Sequence, residues 1–80
     1  MTVDVLLFAA YAEVLGRERL SLVMPASTTA GDVLRAVLEL AGERPLPPSP
    51  LLAVNERYAP SGQALLPGDL VAIIPPVAGG

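Results

Sequence analysis

One stretch of this 80-residue chain, STTAGDVLRAVLELAG at positions 27–42, has the period of an amphipathic helix long enough to cover a sheet. Thr29 is a good N-cap, and Asp32 three residues on makes a near relative of the capping box. Val33, Leu34, Val37, Leu38 and Ala41 fall on one stripe, and Gly42 is placed to stop the helix. The predicted helix spans residues 30–41. Burial of its four large residues would contribute roughly 6–12 kcal/mol before entropy is subtracted. That makes it the main lid on whatever sheet the strands form.

The other apolar runs have strand character. Val3–Ala9 is β-branched and short, with Val3, Val5 and Leu7 on one face and Asp4, Leu6 and Phe8 on the other. Since Asp4 marks the wetter face, Phe8 is expected outside. AAYAEVLG reads as a short helix ending at Gly16, RLSLVM as a second strand, and LLAVNERY (Leu51–Tyr58) as a third with a turn near Asn55–Glu56. In LLPGDLV, Pro67 and Gly68 occupy the centre of a type II turn, and Leu70–Ile74 is the last strand. ERPLPPSP has four prolines in six residues and can be neither helix nor central strand. Such a stretch can serve as a ligand for other domains, but it is taken here as a stiff connector. It also fills the room where a ferredoxin-like domain would need a second amphipathic helix. The element order predicts an α+β domain, with the helix on one sheet face and the two most apolar strands, first and last, side by side.

Composition removes most catalytic options. There is no cysteine and no histidine, so disulfides, thiolate metal sites and the usual Ser-His and Cys-His nucleophile pairs are excluded. The net charge is −3, all five cations are arginine, and no basic run marks a nucleic-acid binder. No segment reaches the roughly 18 apolar residues of a membrane span. The N-terminus lacks the leading basic residues of a signal peptide, so a cytoplasmic location is expected. At 52% hydrophobic, so small a domain is expected to keep apolar surface outside for a partner.

The chain closes on IIPPVAGG. Frayed chain ends are often small, but three features point further. Gly79 and Gly80 are last, Pro75–Pro76 cannot extend a central strand, and the four residues after Pro76 reach at most roughly 13–14 Å. That suits a narrow channel in another protein, since glycine lets walls close on the backbone and leaves a terminal carboxylate open. A carboxylate resists nucleophiles until AMP is transferred to it from ATP. The acyl adenylate can then be attacked by sulfur or an amine. A partner must catalyse these steps, since the chain has no group suited to them. The expected division is a domain over residues 1–76 and a poorly ordered tail over 77–80.

VLLFAAYAEVLG, LLAVNERY and GDLVAIIPPVAGG, together with the capped helix, resemble the MoaD/ThiS sulfur-carrier family of ubiquitin-like proteins, most of all its molybdopterin-synthase branch. The resemblance implies a β-grasp fold, with the first and last strands adjacent and parallel. It implies that this chain binds no cofactor of its own, and that an activating enzyme of the ubiquitin-activating type uses ATP and Mg²⁺ to adenylate Gly80. A sulfur donor would then make a thiocarboxylate. The large synthase subunit, expected in a heterotetramer, would pass the sulfur to cyclic pyranopterin monophosphate. Gly79 would let the tail into the channel, and Phe8, Tyr58 and Ile74 match positions of the family's subunit interface. No nucleic acid and no membrane would take part.

Four alternatives share parts of this pattern: a carrier for thiamin thiazole, a carrier for tRNA thiolation, a protein modifier joined through Gly80 to lysines on targets, and an interaction module with an inert tail. The helical turn after the first strand and the PPV before the tail favour the molybdopterin branch. The absence of lysine excludes self-linked lysine chains.

Overall fold

A computed structural model describes residues 1–76. Strand β1 (Thr2–Leu7) is followed by helix α1 (Ala10–Leu15), β2 (Arg19–Val23), helix α2 (Ala30–Ala41), β3 (Leu51–Val54), β4 (Arg57–Tyr58) and β5 (Leu70–Ile74). The strands form one sheet in the order β2-β1-β5-β3-β4. β1 and β5 run parallel, with Val5 beside Val71 and Leu7 beside Ile73, and every other pairing is antiparallel. This is the β-grasp fold, with the first and last strands adjacent as their apolar character predicted.

Alternation places Val3, Val5, Leu7, Leu52, Val54, Val71 and Ile73 on the face that α2 covers, and all are buried. α2 answers with Ala30, Val33, Val37 and Ala41, a stripe narrower than the sequence predicted. Leu34 and Leu38 each sit about 100° round the helix from the residue before them. Leu34 is half-buried and Leu38 is 41% exposed. Of the four large residues, only Val33 and Val37 are fully buried, which contributes roughly 3–6 kcal/mol, with Leu34 adding part of its value.

The ends of α2 follow the sequence closely. Thr29 Oγ1 accepts from the Asp32 backbone N–H at 3.2 Å, and Asp32 Oδ2 accepts from the Thr29 N–H at 3.0 Å, a complete capping box. Two further donors of the first turn go to the 60–65 loop: Ala30 N–H to the Gln63 carbonyl at 2.9 Å and Gly31 N–H to the Ser61 carbonyl at 2.7 Å. A Cβ on Gly31 would lie 3.0 Å from the Ser61 carbonyl oxygen and Cβ, a contact so tight that the loop would have to give way. At the other end, the Arg44 guanidinium donates to the Leu40 and Ala41 carbonyls of α2 and to the Val14 carbonyl of α1. One cation thus closes the negative ends of two helices.

β1 stops two residues short of the predicted Ala9, because Ala9 turns to φ 50° and breaks the extended chain. Leu51–Tyr58 turns back at the expected Asn55–Glu56, with positive φ at both, so that the stretch is a tight hairpin of β3 and β4. The proline-rich segment connects α2 to β3. Leu46 packs against the core, and the buried Tyr11 donates its hydroxyl to the Pro47 carbonyl. With Arg44 committed to the helix ends and Pro47 to Tyr11, this segment is built into the domain. Among the described residues, no helix is long and apolar enough to cross a membrane.

Candidate docking face

The sheet face away from α2 has two halves. Between β1 and β2 it carries a polar cluster: Asp4 accepts from Ser21 Oγ at 2.7 Å and from Arg19 Nη2 at 3.0 Å. The Ser21 hydrogen bond first, then the Arg19 contact, holds the Asp4 carboxyl below the usual range. Toward β5, β3 and β4 the face turns apolar. The ladder puts Leu6 beside Ala72, Ala72 beside Ala53, and Ala53 beside Tyr58, one row across four strands. Leu51 lies beside Ile74 in the next row.

Phe8, Tyr58 and Ile74 are brought together here. They line a single concavity with Leu6, Ala53, Glu56, Leu70 and Ala72. Phe8 is 44% exposed and Tyr58 is 74% exposed, while Ile74 is half-buried. β5 crosses the floor, and its last residue, Ile74, leads through Pro75–Pro76 toward residue 77. Gly79, Gly80 and the expected order of the 77–80 tail lie outside the described residues. Leu6 lies on the outer row that alternation gives for the first strand, while Ala53, Glu56, Leu70 and Ala72 join the face without having been singled out by the sequence. Alternation along the last strand also puts Ala72 on this side, but the convergence of Leu6 and Ala72 with Tyr58 depends on a pairing register that periodicity does not supply.

The rim is rigid near β5. Asn55 Nδ2 donates to Asp69 Oδ1 at 3.0 Å, and Asn55 Oδ1 accepts from the Leu70 N–H at 3.0 Å. Asp69 Oδ2 accepts from the Leu66 N–H at 2.8 Å, and this bond, followed by the one from Asn55, lowers its pKa. These contacts tie the β3–β4 turn to the 66–69 turn, where Gly68 supplies φ 85°. Among the described residues, no group of three or more acidic side chains could hold a metal ion. The arrangement is an open, mostly apolar surface.

Residues 5–80 match the ThiS family. Over its whole length the chain is 35% identical to the molybdopterin synthase sulfur carrier subunit of Drosophila yakuba, covering 92% of that protein. It is also 35% identical to the molybdopterin synthase sulfur carrier subunit of Arabidopsis thaliana, over 98% of this chain and 82% of that one. The crystal structure of SAMP1, a small archaeal modifier protein from Haloferax volcanii, superposes with a TM-score of 0.83 at 30% identity, with both chains covered in full.

Proposed function

This chain belongs to the ThiS family, and we propose that within it the protein is the sulfur-carrier small subunit of a molybdopterin synthase. The observation that carries this reading is the concavity lined by Leu6, Phe8, Tyr58 and Ile74, on the bare sheet face, through whose floor the strand leading to the tail runs. A large subunit seated there would cover the aromatic side chains and lie beside the point where the chain leaves the domain. The two relatives at 35% identity support the pathway.

In this reading the Gly80 carboxylate is the reacting group. An activating enzyme, with ATP and Mg²⁺, joins a carboxylate oxygen to the α-phosphorus of ATP and releases pyrophosphate. Hydrosulfide released by a sulfur donor attacks the acyl carbon, the acyl–phosphate C–O bond breaks, AMP leaves, and the thiocarboxylate remains. Within the synthase the sulfur passes to cyclic pyranopterin monophosphate, and water restores the carboxylate. The domain contributes docking, and Gly79 contributes slimness where the channel closes. The test is reconstitution with the large subunit of the same organism. The thiocarboxylated protein is expected to form a stable complex and convert the pterin precursor; absence of a complex overturns the reading.

The likeness to SAMP1 supports a second reading, in which the activated Gly80 is joined to amines of other proteins. Conjugates that carry this chain on target lysines, recovered from cells and identified by mass spectrometry, would establish it.

A further inference from the structure

The Asn55–Glu56 turn contains a residue its backbone does not favour. A two-residue hairpin with positive φ at both positions takes asparagine readily at the first and glycine at the second. Asn55 fits, and its side chain is used on Asp69 and Leu70. Glu56, at φ 71°, holds a Cβ where an L-residue is strained. It gains nothing inside the domain in return: among the described residues it forms no side-chain hydrogen bond or ion pair. Its side chain is exposed and lines the docking concavity, where it is the one charged residue among those described. The other charges of that sheet face, Asp4 and Arg19, are paired with each other. Arg57 pairs across from the buried Val54, so its side chain belongs to the opposite face of the hairpin and does not neutralise Glu56.

We propose that the concavity bounded by Phe8, Tyr58 and Glu56 receives an arginine or lysine side chain of the docking protein. The two aromatic residues offer ring surface to a cation and its aliphatic stem, and the carboxylate supplies the opposite charge at the rim. Local strain persists at a site when surrounding structure or function requires the residue. Here the requirement is the partner's cation. The inference rests on the carrier reading, with the large synthase subunit as the partner.

The experiment compares the wild-type protein with Glu56→Gln and Glu56→Gly, measuring affinity for the large subunit at low and high salt and thermal unfolding of each free protein. Glu56→Gln keeps the backbone and shape and removes the charge. It is expected to lower affinity roughly threefold to tenfold at low salt and to flatten the salt dependence, mainly through slower association. Glu56→Gly is expected to lose the same affinity while unfolding at a higher temperature, because the turn is relieved of strain. If both variants bind as tightly as wild type with unchanged salt dependence, the cation site is overturned and the carrier reading stands. If the wild-type protein itself does not bind the large subunit, the carrier reading falls and this inference falls with it.

Discussion

Tyr58 is 74% exposed and packs on the outer sheet face from a two-residue edge strand, so its replacement by alanine separates docking from folding. An aromatic side chain buries about 150–250 Å² when wholly covered. The quarter already in contact corresponds to about 40–65 Å². At about 25 cal/mol per Å² this limits the folding cost of Tyr58→Ala to about 1.5 kcal/mol, an upper bound because the unfolded chain also covers some of that surface. The uncovered remainder, about 110–185 Å², is available to a partner and is worth at most about 3–4.5 kcal/mol. Truncation is therefore expected to weaken binding to the large subunit by at least about tenfold, or about 1.4 kcal/mol. Urea unfolding monitored by circular dichroism gives the first quantity, and titration calorimetry with the folded variant gives the second. Tyr58→Phe should retain most of the affinity. A Tyr58→Ala protein that unfolds much more easily yet binds with unchanged affinity would assign Tyr58 to the fold and not to the interface.

Gly31→Ala places a methyl 3.0 Å from the Ser61 backbone oxygen and Cβ, and is expected to destabilise the domain by about 1–3 kcal/mol in urea unfolding. Arg44→Ala withdraws a cation from the ends of both helices and should cost about 1–2 kcal/mol, with hydrogen exchange rising in the last turn of α2 and little change in partner affinity. Asp4, Asp32 and Asp69 all have pKa values below the ordinary carboxylate value, each chiefly because of hydrogen bonds: from Ser21 to Asp4, from Thr29 to Asp32, and from the Leu66 N–H to Asp69. A carboxyl with a lowered folded-state pKa stabilises the fold above its unfolded value and loses that contribution as pH falls through the lowered one. Thermal unfolding temperature should therefore drop as pH falls below about 4, and less steeply in Asp69→Asn.

Local signals located what local chemistry controls. Thr29, Asp32 and Gly42 set both ends of α2 because capping involves only neighbouring residues. Alternation sorted β1 correctly into a buried row of Val3, Val5 and Leu7 and an outer row that ends near Phe8. The less legible parts depend on distant contacts. Tyr11 is fully buried, yet α1 is too short for its period to mark a core residue, and its hydroxyl partner, Pro47, lies 36 residues away. Leu38 belongs to the helical stripe by sequence but reaches past the edge of what the sheet covers. Phe8, Tyr58 and Ile74 came from family resemblance. Their gathering around one concavity required the β1–β5–β3–β4 register, which no single segment encodes. Glu56 falls in a turn the sequence marks, but its positive φ and its place beside Phe8 and Tyr58 were not legible, because an exposed glutamate in a loop is ordinary in sequence.

In the proposed carrier, Gly80 would supply the reacting carboxylate and residues 1–76 the docking surface. Deleting Gly80 draws the terminal carboxylate back by roughly 3.3–3.6 Å of extended chain. A misplacement of about 1 Å can already cost a reaction about 100-fold. The most direct measurement is the intact mass of the wild-type and truncated proteins after incubation with the activating enzyme, ATP, Mg²⁺ and a sulfur source. Wild type is expected to gain the mass of one oxygen-to-sulfur exchange, while the truncated protein gains none yet still binds the large subunit. A truncated chain that acquires sulfur and converts the pterin precursor at the wild-type rate would contradict it.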